Sequence, residues 1–202
     1  SGAFRSGDDI NINVTMSEDV IKGSSFTVTL GTTDQIKLTA ASTGKTLSGT
    51  YTVSNADSSS DLTIASFVAG TVTDVYGNTM TSTSIPSGKN LSDNKDFVID
   101  NIPIARASSS ITQKDGNATA DKNDILVLNF SEAVGNKTSI ANMFTGSDTY
   151  GASGTRATAA WTNSDKTLSI TLGTGETYGL SDITLNGVED LAGNSSNLTF
   201  TF

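Results

Sequence analysis

Two stretches of this chain occur twice, in the same order and at nearly the same spacing, and that repetition limits the fold more than any other feature. Ile12-Asn13-Val14-Thr15-Met16-Ser17-Glu18-Asp19-Val20 matches Leu126-Val127-Leu128-Asn129-Phe130-Ser131-Glu132-Ala133-Val134. Val72-Thr73-Asp74-Val75-Tyr76-Gly77-Asn78 matches Val188-Glu189-Asp190-Leu191-Ala192-Gly193-Asn194. Positions 12 and 126 are 114 residues apart, and positions 72 and 188 are 116 apart. A chain of 202 residues with that period holds two copies of one unit of roughly 100 residues. The expected domains are residues 1–101 and 102–202. They meet at Asn101-Ile102-Pro103, too short for a floppy linker, with Pro restricting the backbone.

Within each copy the apolar residues alternate. Ile10, Ile12, Val14 and Met16 are separated by Asn11, Asn13 and Thr15, and Phe26, Val28 and Leu30 by Thr27 and Thr29. Ile36-Lys37-Leu38, Leu47 to Val53 and Leu62-Thr63-Ile64 continue the pattern, and no stretch sustains a 3.6-residue period. Short alternating runs between Gly, Asn, Asp and Ser clusters predict an all-β chain of two tandem immunoglobulin-like β-sandwiches. In the first copy the strands are expected at 10–16, 26–30, 35–40, 46–54, 62–73 and 96–100. A truncated or missing first strand precedes residue 8, Ser17-Glu18 opens a loop, and Thr43-Gly44-Lys45 makes a hairpin turn.

Composition removes most chemistries. The chain has no Cys and no His, so thiolate metal sites, disulfides, cysteine nucleophiles and histidine bases are excluded. Oxygen is what remains for metal binding, and oxygen ligands favour hard cations such as calcium. Of the 21 acids, 17 are Asp, a residue of turns and caps. A net charge of -9 argues against nucleic-acid partners and anionic membrane surfaces. No apolar run reaches the roughly 18–20 residues of a membrane span. Ser1-Gly2-Ala3 reads as a cloning remnant, the chain as an excised piece of something longer, and no signal peptide is visible. No pair of acids sits in a context that marks an acid–base pair, so the expectation is not an enzyme.

The landmarks together resemble the bacterial immunoglobulin-like repeats of large surface adhesins and S-layer-type proteins. The residues that carry the resemblance are Gly7-Asp8-Asp9-Ile10, Ser17-Glu18, Asn55-Ala56-Asp57, Asp61-Leu62, Asp74 with Gly77-Asn78, and Phe97-Val98-Ile99-Asp100. In the second copy they are Phe130 to Val134 and Glu189 to Asn194. The resemblance implies a structural segment of an extracellular or bacterial cell-surface protein, an adhesin stalk or an S-layer-type subunit. Its partners would be neighbouring repeats of the same polypeptide, with self-association or a cell-surface glycan as further partners. The alternative is a glycan- or receptor-binding adhesin module that uses its end loops. The second copy departs from the pattern, carrying Gly173-Thr174-Gly175-Glu176 where the first has Asn55 to Asp61.

Loops of a sandwich cluster at its two ends. Placed on that frame, Asp8, Asp9, Asp57, Asp61, Asp100 and Asn101 fall at the last-strand end of the first copy. Glu132 and Asp190 fall at the opposite end of the second copy. These two ends adjoin at residues 101–103, an arrangement similar to the calcium-stiffened junctions of cadherin repeats. The expected metal site is therefore calcium held by Asp8, Asp9, Asp57, Asp61, Asp100, Asn101, Glu132 and Asp190. Asp74 and Asp190, each followed by Gly-Asn, fit turns as well as ligands. The run Asp115 to Asp124 is acid-rich but lacks the full EF-hand spacing and its terminal Glu. Trp161, on an alternating segment, is expected in the core rather than on a sugar platform.

Overall fold

A computed structural model describes residues 1–82, 84–116, 120–145, 157–174 and 182–202. Among the described residues the chain is mostly β, with one short helix. It divides into two compact units, Ser1–Asn101 and Ile102–Phe202. Each unit has a hydrophobic core drawn from its own residues.

Unit 1 carries β1 (Gly2–Phe4), β2 (Asp9–Val20), β3 (Ser25–Leu30), β4 (Gln35–Thr39), β5 (Gly44–Thr52), β6 (Ile64–Thr71) and β7 (Phe97–Ile99). Five strands form one antiparallel sheet in the order β2-β5-β4-β3-β6, while β1 and β7 pair in parallel. Alternation decides which side chains go inward. Ile10 and Ile12 on β2, Phe26, Val28 and Leu30 on β3, and Ile36 and Leu38 on β4 all enter the core.

Unit 2 carries β8 (Arg106–Thr112), β9 (Ile125–Phe130), α1 (Lys137–Thr145), β10 (Thr158–Thr162), β11 (Thr167–Thr171), β12 (Ile183–Glu189) and β13 (Ser195–Phe200). Its sheet runs β10-β11-β9-β8, and β12 pairs with β13 as a hairpin. In the core, the Phe130 ring meets Phe200 edge-on with centroids 5.4 Å apart and lies tilted against Trp161 at 5.7 Å. Trp161 is partly buried on that core, and its indole N–H donates to the Lys137 carbonyl at 3.2 Å.

The structure departs from the sequence expectations at three places. First, residues 137–145 are helical, although no 3.6-residue period is legible. Only Ile140 and Phe144, one turn apart, are buried, and nine residues are too few to repeat the pattern. Second, Ser17-Glu18 belongs to β2 and does not open a loop. The β2–β5 register jumps between Thr15 and Val20, so these residues lie in a bulged stretch of strand. Third, Gly44 begins β5 and pairs with Val20, so the turn before it lies at 40–43. The first strand of unit 1 takes the truncated form of the expectation, three residues paired with β7.

The repeat itself is out of step with the structure at one end. At the Asp74 and Asp190 ends, Ile21 N–H donates to Thr73 O and Gly135 N–H donates to Glu189 O, which keeps positions 21 and 135 equivalent, 114 apart. At the other end, Gly7 N–H donates to Val53 O and Asn123 N–H donates to Leu172 O, so positions 7 and 123 are equivalent, 116 apart. Unit 1 absorbs the two-residue difference in the β2 bulge. Ile12 therefore corresponds to Leu128, not Leu126. A shift of two leaves every side chain on its original face, so the alternation pattern does not reveal it.

Candidate metal centres

The Asp190 end of unit 2 is built by a five-residue loop closed on its own side chain. Asp190 is buried, and its carboxylate accepts Asn194 N–H at 2.9 Å and the Asn194 side-chain amide at 2.8 Å. Asp190 N–H donates to Asn194 O, and Gly193 N–H donates back to Asp190 O, with Gly193 at φ 87°. Unit 1 repeats the construction. Asp74 accepts Tyr76 N–H, Asn78 N–H and the Asn78 amide, each at 2.8 Å, with Gly77 at φ 92°. Both stretches are therefore side-chain-built turns. In unit 2 a second acid joins: half-buried Glu132 brings a carboxylate oxygen within 4.8 Å of one from Asp190.

Gly135 lets the Glu132 segment approach this loop. Its N–H donates to Glu189 O at 2.7 Å, and a Cβ there would lie 2.2 Å from Asp190 O. If both carboxylates are ionised at 4.8 Å, they repel by about 3 kcal/mol at an effective dielectric of about 20, less where Glu132 meets solvent. A divalent cation between them reverses the sign of that interaction.

The other end of unit 2 gathers Asp115, Asp121 and Asp124, whose carboxylate oxygens also lie within 4.8 Å of one another. Asp124 is fully buried and accepts Lys114 N–H at 2.8 Å and Asp121 N–H at 3.0 Å. The same turn stands in unit 1. Asp8 accepts Arg5 N–H at 2.9 Å, and its carbonyl takes Val53 N–H as that of Asp124 takes Leu172 N–H. Gly7 at φ 90° and Asn123 at φ 72° hold the same place. Arg5 thus stands where unit 2 has Asp121, a cation in place of a carboxylate. Sequence reasoning missed this equivalence because it depends on the two-residue slip in β2.

The remaining expected ligands fall in unit 1. Asp9 lies exposed on β2 and accepts the Thr52 hydroxyl at 2.6 Å. Asp57 accepts the Tyr51 phenol at 2.7 Å and Ser54 N–H at 2.6 Å. Asn101 ties three segments together. Its amide nitrogen donates to Ser54 O and Asp57 O at 2.9 Å each, and its amide oxygen accepts Ser6 N–H at 2.5 Å. The loop before β2, the segment after β5 and the chain beyond β7 therefore meet at one end. Asp100 is half-buried, with its N–H donating to Phe4 O. Asp61 keeps a buried Oδ1 without a hydrogen-bond partner. Within unit 1, Asp8, Asp9, Asp57, Asp61 and Asp100 supply no three carboxylate oxygens within 4.8 Å of one another among the described residues. Part of the Gly173 to Glu176 stretch lies outside the described residues, as does the Asn117-Ala118-Thr119 part of the acid-rich run.

No family model, curated protein or solved structure matches this chain.

Proposed function

We propose that the chain is a structural segment of a bacterial cell-surface protein. In this reading it is two consecutive immunoglobulin-like repeats of a stalk or S-layer-type subunit, rigidified by calcium. The observation that supports it is the Glu132–Asp190 pair, a buried and a half-buried carboxylate held within 4.8 Å by a closed loop and a glycine contact. Calcium takes six to eight oxygens in flexible geometry and tolerates ligands from separate loops. In this proposal Asp100 and Asn101, the last residues of unit 1, supply ligands from the preceding repeat, with Asp8, Asp9, Asp57 and Asp61 shaping the field around them. Calcium that binds only the folded chain stabilises it by mass action, about 2.7 kcal/mol at a hundred times the dissociation constant. For units of this size that corresponds to a melting-temperature rise of more than 10 °C.

The test is thermal unfolding with millimolar calcium and with chelator. Calcium should raise the melting temperature, and the double substitution Glu132→Gln, Asp190→Asn should remove most of the rise. Identical melts with calcium and with chelator would sink the proposal.

A further inference from the structure

Strand β2 lies at the edge of its sheet. The order is β2-β5-β4-β3-β6, and among the described residues no strand pairs with the side of β2 turned away from β5. At twelve residues β2 is long for that position. One bond sets its backbone phase. Val53 N–H donates to Asp8 O, so Ile10, Ile12 and Val14 exchange their main-chain bonds with β5. Asp9, Asn11 and Asn13 therefore turn their N–H and C=O groups to the open side, and all three are exposed. The opposite edge of the sheet, β6, is capped where it starts. There the Asn90 side chain accepts Ile64 N–H at 2.9 Å and donates to Ile64 O at 3.0 Å.

Unit 2 shows what fits along β2. Strand β9 is its counterpart, with Ile125 equivalent to Asp9 and Asn129 to Asn13 at the 116-residue spacing. The backbone phase is the same. Leu172 N–H donates to Asp124 O, so Ile125, Val127 and Asn129 turn their N–H and C=O groups away from β11. Here that side is filled by β8, which runs antiparallel with Thr112 opposite Ile125, Ser110 opposite Val127 and Ser108 opposite Asn129. Ile111, opposite Leu126, packs on the core. The same edge is thus closed by a strand in unit 2 and open in unit 1.

Charge favours an occupant of the same kind. Strand β2 carries Asp9, Glu18 and Asp19 and no basic residue, whereas β8 carries Arg106 and no acid. Pairing β2 with β2 of a second copy would set acids against acids. A row of unpaired main-chain groups is a template for an added strand, and side-chain chemistry selects which strand.

We propose that the β2 edge of unit 1 accepts an extended segment of another polypeptide with the chemistry of β8. That segment runs antiparallel to β2, lacks acids, carries small hydroxyl side chains and places an aliphatic residue opposite Ile10. Main-chain bonds to Asp9, Asn11 and Asn13 hold it, and the aliphatic side chain fixes its register. No residue of unit 2 takes part, so strand addition does not depend on calcium at Glu132 and Asp190.

The test adds a synthetic peptide with the sequence of residues 104–113 to the whole chain and follows amide hydrogen exchange residue by residue. In the free chain, Asp9, Asn11 and Asn13 should exchange quickly while Ile10 and Ile12 are protected. Millimolar peptide should slow the first three by about tenfold or more. A peptide N-methylated at Ser110, or one with Ile111→Asp, should lose that protection. Asn11→Pro removes an outward N–H at an edge position that tolerates proline, and should weaken binding about tenfold while circular dichroism shows the fold intact. The N-methylated peptide decides the matter if that variant does not fold. Exchange at Asp9, Asn11 and Asn13 unchanged by the peptide, or slowed equally by its N-methylated form, overturns the proposal. Protection of these amides without peptide also overturns it. The edge is then held by a second copy if that protection fades on dilution, and by the chain itself if it does not.

Discussion

Asp74 shows how a single carboxylate organises a loop here. The Asn78 amide is the largest influence on it, the backbone N–H groups of Asn78, Tyr76 and Gly77 add to that, and burial opposes them. Hydrogen bonds to the charged form hold this carboxyl below the ordinary range near 4. The folded pKa lies below the unfolded one, so the contribution to stability is present above about pH 4 and is lost as pH falls through the lower folded value. Asp74→Ala should therefore destabilise the protein at pH 7, and the gap from wild type should close as the pH drops below about 4. Urea unfolding of both proteins across that range checks this. A gap that stays constant with pH would show that the charge does not hold the loop. The recurrence of Asp with Gly-Asn was legible in the sequence, and so was its capacity to form a turn. That Glu132 brings a second carboxylate to the Asp190 turn was not, because that proximity depends on how the Gly135 segment meets the loop.

At the scale of the element, alternation placed nearly every strand of unit 1, since a period of two is the direct signature of a half-buried strand. It placed strand ends less well. The β2 bulge carries Ser17 and Glu18 without a core contact, and nothing in a polar Ser-Glu-Asp run separates bulge from loop. Helix α1 was illegible for a related reason. It makes a single buried pair, Ile140 and Phe144, and tertiary packing rather than propensity sustains it. Close approaches were equally hidden. Gly135 is one of 19 glycines in the chain, and only the fold shows its absent Cβ facing Asp190 O at 2.2 Å. Gly135→Ala should force these segments apart and destabilise unit 2 by about 1–3 kcal/mol. It should also weaken any calcium effect that depends on Glu132 and Asp190. Denaturant midpoints with and without calcium measure both effects, and an unchanged midpoint would mean the backbone relaxes freely at this contact.

At the scale of the whole molecule, two cores stand on separate residues, and each answers to its own mutations. Leu128 is fully buried in unit 2, opposite Leu168 on the neighbouring strand. Leu128→Ala should cost about 2–5 kcal/mol of unit 2 stability. Trp161 is the chain's only tryptophan and packs on the same core, so its fluorescence follows that transition directly. A Trp161 transition unmoved by the substitution would show that the two residues do not share a cooperative core.

The sequence by itself determined the all-β class, the alternation that sorts core from surface, and a chemistry limited to oxygen ligands. These follow from residue types and their period, which are local and survive any two-residue shift in register. Only the tertiary structure decided which oxygens meet. Asp8 and Asp124 share one turn through a register slip that alternation does not record. The β3–β4 turn runs alongside residues 61–63 because β3 and β6 pair across more than thirty intervening residues. Proximity between distant segments depends on strand order and bulges, and single-residue patterns carry neither.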